Sequence, residues 1–174
     1  MNLHQISVSY EPDQDRLLLR VRGSGGEHFS VWLTRRVMRG LRPAFQQASG
    51  HLAATALASP AVATPEARAM LADSARSQAL GKSDFSRPFE AEAAAHPMGP
   101  APLLPARIDL HVQSDQKIRF ALIETPERTL QLELVQQDWE ALRHMFDQAI
   151  AKADWDLAPL PDPAVAEVRP SLLN

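Results

Sequence analysis

The stretch that decides the fold is FSVWLTRRVMRGLRPAF, residues 29–45, where a strand pattern becomes a helix pattern with no loop between them. Up to Leu33, every second residue is apolar, as in Phe29, Val31 and Leu33, which is the spacing of a strand with one buried face. After Thr34 the apolar residues take helical spacing, at Val37, Met38, Leu41 and Phe45. Threonine is a good N-cap. We therefore predict a strand that runs directly into a helix capped by Thr34.

Two more strand patterns precede this stretch. ISVSY (6–10) and RLLLRVR (16–22) both alternate, and the turn-forming cluster EPDQD (11–15) separates them. The glycine-rich turn GSGG (23–26) then leads into the strand that ends at Leu33. Alternating strands joined by such turns predict a three-stranded antiparallel meander. With the helix, residues 1–50 form a first βββα unit.

Residues 117–150, KIRFALIETPERTLQLELVQQDWEALRHMFDQAI, repeat this pattern. They align with residues 16–49 at a constant offset of 101 without a gap, and six of the 34 positions are identical. The inward positions are apolar in both copies: Leu17, Leu19, Val21, Phe29, Val31, Leu33, Met38, Leu41 and Phe45 fall on Ile118, Phe120, Leu122, Leu130, Leu132, Leu134, Trp139, Leu142 and Phe146. The first strand of the second copy, RIDLHV (107–112), aligns at an offset of 102.

A βββα unit of this size buries too little apolar surface to be stable alone. Two such units can supply the missing core by pairing, as the subunits of a two-fold dimer do. We predict an α+β fold made by internal duplication, in which units 1–50 and 107–156 form one pseudo-two-fold body.

The intervening residues, 51–106, form a connector rich in alanine and proline. Thr64 as N-cap, Pro65 at the first helical position and Gly81 as a stop predict one helix at about 65–80. In the segment SDFSRPFE (83–90) we expect Phe85 and Phe89 to dock on the body of the protein, with an exposed partner motif as the alternative. Residues 157–174 read as a proline-rich tail.

Composition narrows the functional classes. The chain has no cysteine, so disulfides and thiolate chemistry are excluded. Its six histidines show none of the spacings of known metal motifs, and nucleophile and phosphate-loop motifs are absent. We expect a non-enzymatic protein without metal or cofactor. Because there is no signal-like start and no long apolar run, we expect a cytoplasmic protein with no membrane partner.

Charge is distributed unevenly between the units. Residues 1–50 carry seven arginines and four acidic residues, whereas residues 101–156 carry six basic and ten acidic residues. If the apolar positions of the first sheet point inward, its open face presents Arg16, Arg20, Arg22 and Trp32, together with Ser7, Ser9, His28 and Ser30. Cations with an aromatic ring are the groups that bind single-stranded nucleic acid.

The helix after this strand adds three surface arginines that the second unit lacks, Arg35, Arg36 and Arg39. We read them as supporting charge for the same site, with pairing to the acidic second unit as the alternative. For the open face, the structural alternative is that Trp32 is covered by the connector or by the other unit.

The helix of the second unit follows directly after a small predicted sheet, and its start carries Leu134, Gln136, Gln137, Asp138 and Trp139. This pattern resembles the positive-cofactor-four, Whirly and Pur-alpha group of single-stranded nucleic-acid binders, in which a curved sheet and a helix form paired units. The resemblance covers about 45 residues per unit and implies nucleic-acid binding through strands. This chain departs from the group in having three predicted strands per unit and fewer basic strand positions.

Two functions follow as hypotheses. The first is single-stranded nucleic-acid binding through Arg16, Arg20, Arg22 and Trp32, supported by Arg35, Arg36 and Arg39. The second is a protein-interaction adaptor that uses the same face or the acidic second unit. Association into a homo-oligomer is open in either case.

Overall fold

A computed structural model describes residues 2–56, 64–85, 87–90, 92 and 95–157. It is an α+β structure with two three-stranded antiparallel sheets and three α-helices in this part of the chain. In chain order the elements are β1 (Leu3–Glu11), β2 (Arg16–Gly23), β3 (His28–Thr34), α1 (Arg35–Ala56), α2 (Pro65–Gly81), β4 (Arg107–Val112), β5 (Ile118–Ile123), β6 (Thr129–Leu134) and α3 (Gln136–Ala153).

The two sheets have the same strand order and the same register. In each sheet the middle strand pairs with both neighbours, as β1–β2–β3 and as β4–β5–β6. The pairs between β2 and β3 include Leu17 with Leu33, Leu19 with Val31, and Val21 with Phe29. Adding 101 gives pairs between β5 and β6: Ile118 with Leu134, Phe120 with Leu132, and Leu122 with Leu130. The first strands keep the offset of 102, since Ile6 pairs with Val21 and Ile108 with Leu122.

The joint between β3 and α1 forms as predicted. Helix α1 begins at Arg35, the residue after the last residue of β3. The Thr34 hydroxyl accepts a hydrogen bond from the backbone N–H of Val37 at 3.3 Å, which satisfies one of the free donors at the helix start. In the second unit, Val135 alone separates β6 from α3, and no side chain caps that helix.

The connector helix predicted for about 65–80 is present as α2. The Thr64 hydroxyl accepts from the Ala67 N–H at 3.2 Å, and Pro65 occupies the first turn. Helix α2 packs against α1 and α3. Arg76 of α2 forms an ion pair with Asp147 of α3 at 3.0 Å, so this contact is partly polar.

One apolar core serves both units. All the predicted inward positions are buried except Phe29, which is partly buried and packs against the same cluster. Helix α3 runs beside β1 and α1 beside β4, so each unit's helix lies against the other unit's first strand. At the centre, the Phe45 ring of α1 contacts the rings of Phe120, Trp139 and Phe146.

Polar contacts also join the two units. The Trp139 indole N–H donates to the Ser49 hydroxyl at 3.0 Å within the core. After α3, the Trp155 indole N–H donates to Asp15 Oδ1 at 2.6 Å, and its ring meets Tyr10 edge-on. The Tyr10 hydroxyl also donates to Asp15 Oδ1, at 3.0 Å. The bonds from Trp155 and Tyr10, together with the nearby positive charge of Arg35, hold the pKa of Asp15 below its ordinary value.

The unit boundaries differ in detail from the sequence interpretation. Helix α1 continues through Ala56, six residues beyond the predicted end of the first unit at residue 50. The proline-rich tail at 157–174 lies, apart from Leu157, outside the described residues. None of the described helices is long and apolar enough to cross a membrane.

Candidate functional site

The outward side chains of β1–β3 form the surface that we call the basic face. Strand register arranges them in rows that run across the sheet. The first two rows are Gln5–Arg22–His28 and Ser7–Arg20–Ser30, and the next two are Ser9–Leu18–Trp32 and Glu11–Arg16–Thr34. Alternation in β2, where every second residue is buried, is what places Arg20 and Arg22 on this side.

A segment of the connector lies across the first two rows. This docked segment comprises residues 88–90 and 92. The Gln5 side-chain amide holds its backbone at two points, donating from Nε2 to Pro88 O at 2.7 Å and accepting from Glu90 N at 2.9 Å. The two bonds flank Phe89, so one glutamine satisfies a donor and an acceptor of an extended chain, as a neighbouring strand would.

Arg22 makes the largest set of contacts with the docked segment. Its Nη1 donates to Glu90 O at 3.1 Å and to Glu92 O at 2.7 Å, and lies 3.2 Å from the Glu90 carboxylate. The Arg22 side chain is only 18% exposed, whereas that of Glu90 is 60% exposed. The arginine is therefore mostly covered, and its bonds go mainly to main-chain carbonyls of the docked segment.

The Phe89 ring rests on two cationic or titratable side chains. It stacks on the His28 ring with centroids 4.9 Å apart and planes inclined by 29°. The Arg20 guanidinium carbon lies 4.9 Å from the centre of the same ring. Such a cation–π contact contributes roughly 0.5–2 kcal/mol, depending on how far it is desolvated.

His28 is the most buried polar group of the face, at 8% exposure. Its Nε2 lies 3.0 Å from Glu90 O, and the His96 ring meets it edge-on at 5.9 Å. Burial lowers the pKa of His28 below its ordinary value, and the positive charges of Arg22 and Arg20 lower it further, against the opposing effect of the Glu90 carbonyl. The docked state therefore favours neutral His28.

The connector also covers the free edge of β3. Leu103 pairs with this edge in a parallel sense: its N–H donates to Ser30 O at 2.8 Å, and its carbonyl accepts from Trp32 N at 2.7 Å. Ala95 O accepts from His28 N at 2.9 Å further along the edge. The Leu103 side chain enters the core at 1% exposure. An edge covered in this way is closed to pairing with other chains.

The predicted site residues separate into three groups. Arg20 and Arg22 lie under the docked segment. Arg16 and Trp32 lie partly buried in the other two rows. Arg35 donates to the main-chain carbonyl of Asp156 at 3.2 Å, while Arg36 and Arg39 are exposed on α1.

Apart from the arginines, the residues that hold the docked segment were not identified from the sequence. His28 was recognisable only as an outward position of the third strand, and Gln5 lies just before the predicted first strand, which began at Ile6. The expected docking of Phe89 on the body is confirmed. Phe85 also contacts the body, with its ring 5.4 Å from that of His144, although it stays 46% exposed.

The outer face of the second sheet has a different character. His111, Arg119, Gln131 and Glu133 are exposed there. Arg119 and Glu133 pair with each other across the strands at 3.5 Å. Within the described part of the chain, no three histidine, aspartate or glutamate side chains are grouped closely enough to hold a metal ion.

Comparison with protein-family models, with curated proteins and with solved structures finds no match to this chain.

Proposed function

We propose that this chain is a non-catalytic protein-interaction module whose basic face binds extended peptide segments. The observation that carries the proposal is the set of bonds from Gln5, Arg22 and His28 to backbone atoms of residues 88, 90 and 92. Side chains that pair with main-chain carbonyls and N–H groups match a polypeptide, as in binding that extends a sheet. Ring contacts from Arg20 and His28 add a place for one aromatic side chain.

The organisation of the chain in two similar units also supports this proposal. We infer that the two βββα units arose by duplication and form a pseudo-two-fold body. The matching registers at offsets 101 and 102 support this, as does the reciprocal packing of α3 beside β1 and α1 beside β4. Phe45 and Phe146 are equivalent at offset 101, and their rings stack on each other at 5.4 Å. Contact between equivalent residues is what a two-fold axis produces.

A shared body with two different outer faces is suited to binding. The core positions are duplicated, whereas Arg20, Arg22, His28 and Trp32 have Ala121, Ile123, Thr129 and Glu133 as their counterparts. The second unit therefore supports the first structurally without repeating its surface. We assign the peptide site to the first unit alone.

Single-stranded nucleic-acid binding is the second candidate function. Arg36 and Arg39 are exposed at the start of α1, just after the end of β3 that carries Trp32. Arg16 pairs with Thr34 at the same end of the sheet. Phosphates at this end, with a base against Trp32, would use the rows that the docked segment leaves uncovered.

One paired experiment separates the two candidates. The full chain carrying Phe89→Ala, which vacates the ring site, is used to select binders from a displayed random-peptide library. The same chain with Arg22→Ala added is the matched control. In parallel, a labelled single-stranded oligonucleotide is titrated into wild type and an Arg36→Ala/Arg39→Ala variant at low and moderate salt.

We expect peptides that bind the Phe89→Ala chain and lose affinity when Arg22 is replaced. Failure to enrich any Arg22-dependent peptide contradicts the peptide-binding function. Oligonucleotide binding that weakens steeply with salt and is lost in the Arg36→Ala/Arg39→Ala variant supports the second candidate.

A further inference from the structure

We propose that the docked segment is an internal ligand, and that the same site accepts from other proteins an extended segment in which an aromatic residue is followed directly by an acidic one. This inference rests on the proposed peptide-binding function and specifies both its ligand and its regulation. Within the chain, Phe89 and Glu90 provide that pair. The occupied state seen here is then the closed state of the site.

Each part of the segment has a separate recognition element. Gln5 brackets the aromatic position by bonding to the residues on either side of it. His28 and Arg20 contact the ring itself. Arg22 reads the acidic position through both the carbonyl and the carboxylate of Glu90, then continues to the carbonyl of Glu92. Aromatic, acidic and backbone contacts thus follow one another along four residues of chain.

The segment is attached in a way that permits its exchange. None of its residues belongs to the core cluster, which includes Leu103 further along the connector. The Glu90 side chain is 60% exposed, and Pro88 and Glu92 are exposed as well. Releasing these residues removes surface contacts and leaves the edge pairing of Leu103 with β3 in place. The cost of release is therefore confined to the site.

The site also has bonding capacity that its internal occupant leaves unused. Ser7 and Arg20 face each other across β1 and β2, and Arg20 contacts the docked ring. The Ser7 hydroxyl and Arg20 Nε are buried without a hydrogen-bond partner among the described residues. A buried polar group without a partner costs about 1–3 kcal/mol. An external peptide that supplies an acceptor at this point binds better than the internal segment does.

Tethering determines how strongly the internal segment competes. A ligand on a short flexible connection acts at an effective concentration in the millimolar range. An external peptide meets only the fraction of molecules in which the site is vacant, and its apparent affinity falls by that fraction. For a weak, exchangeable contact we expect the internal segment to reduce external binding on the order of tenfold.

The test uses a fluorescein-labelled peptide with the sequence of residues 87–92, RPFEAE, and fluorescence anisotropy. It is titrated with the full wild-type chain and with a Phe89→Ala/Glu90→Ala chain, whose internal ligand is disabled. Two further chains add Arg22→Ala or Arg119→Ala to the disabled background. Arg119 lies on the exposed outer face of the second sheet and is the matched arginine control. Circular dichroism confirms that all four chains are folded.

We expect the disabled chain to bind the peptide on the order of tenfold more tightly than wild type. Adding Arg22→Ala abolishes that binding, and adding Arg119→Ala leaves it unchanged. A peptide with alanine in place of phenylalanine, or glutamine in place of the first glutamate, binds more weakly.

Equal binding by wild type and the disabled chain overturns the internal-ligand proposal. So does the absence of binding to the disabled chain when library selection yields other Arg22-dependent peptides, and in that case the general peptide-binding function survives. When neither RPFEAE nor any library peptide binds, both proposals fail.

Discussion

The outer faces of the two sheets are built on the same strand register but are covered differently. On the first sheet, Arg20 and Arg22 find their partners in the connector, at Phe89, Glu90 and Glu92. On the second sheet, Arg119 pairs with Glu133 on the neighbouring strand, and both side chains are exposed. A face whose charges are satisfied within the sheet needs no cover. The first sheet, whose cations and ring-binding groups point outward, is covered by a segment of the connector.

The inward faces show the opposite relation. There the two sheets share apolar character position by position, and the buried side chains merge into one core. Each strand therefore has an inward side that packs in the shared core and an outward side that differs between the two units. Changes on the inward side should have similar effects in both units, while changes on the outward side should matter in the first unit alone.

The largest effect is expected from the central phenylalanines. Phe45→Ala and Phe146→Ala each remove an almost fully buried ring, since Phe45 is 3% exposed and Phe146 is 1% exposed. Such truncations lower the free energy of unfolding by about 3–5 kcal/mol. The measurement is chemical denaturation of each variant and of the double variant. Because the rings touch, the two effects should not be additive. A large loss for one phenylalanine and almost none for the other would contradict the equivalence of the two units.

A smaller loss of stability is expected at Ser49 and Trp139, a hydrogen-bonded pair in the core whose equivalent residues are both apolar. Ser49 accepts from the Trp139 indole, while the equivalent positions, Ile150 and Met38, are apolar. Ser49→Ala leaves a buried N–H without its partner, at a cost of about 1–3 kcal/mol by denaturation. Gln47→Ala, at an exposed position of the same helix, controls for a general effect of substitutions in α1. Unchanged stability of Ser49→Ala would show that the indole finds another acceptor.

The outward faces are compared by replacing one arginine on each. Arg22→Ala removes bonds to Glu90 and Glu92, so the docked segment should open more often. Chymotrypsin should then cleave after Phe89 faster, by about tenfold for a loss near 1.4 kcal/mol. Arg119→Ala should leave cleavage after Phe89 unchanged. The initial rate of cleavage, followed by mass spectrometry, is the readout. Equal acceleration by both substitutions would mean that the segment responds to general destabilisation.

The smallest effect is a dependence on pH that only the first sheet should show. The pKa of His28 is lowered in the docked state by burial and by Arg22, His96 and Arg20. Release returns it toward its ordinary value near 6.5, so the released state binds more protons. Docking is therefore fully stable above about pH 6.5 and weakens as the pH falls through that value toward the lowered pKa, by at most about tenfold per pH unit for one proton.

Peptide binding to the Phe89→Ala/Glu90→Ala chain measures this effect without cleavage. The affinity for RPFEAE should fall between about pH 7.5 and pH 5.5, where the glutamates of the peptide stay ionised. A His28→Asn chain should lose the dependence, and a His96→Asn chain should retain most of it. Affinity that rises in acid would contradict the direction of the His28 pKa.

The sequence was sufficient for the elements and the core because both follow from periodicity. Alternation through Leu17, Leu19 and Val21, and helical spacing through Met38, Leu41 and Phe45, are local patterns that survive into the structure. The caps at Thr34 and Thr64 were readable for the same reason. The end of α1 at Ala56 was missed because its last residues belong to an alanine-rich run without a stop signal.

The candidate site was less predictable because it depends on contacts distant in sequence. The outward direction of Arg20 and Arg22 follows from the strand pattern, but their partners lie about 70 residues away in a connector without periodicity. Gln5 gave no signal at all, since it lies just before the predicted first strand. The nucleic-acid ligand, the cytoplasmic location and self-association stay predictions.

The central claim is that the basic face holds a peptide and that the second sheet does not. NMR titration of RPFEAE into the isotope-labelled Phe89→Ala/Glu90→Ala chain tests it most directly. We predict shifts concentrated at Gln5, Arg20, Arg22 and His28, with Arg119 and Gln131 unmoved. Shifts on the second sheet, or shifts at the four basic-face residues with an oligonucleotide but not with the peptide, would contradict the claim.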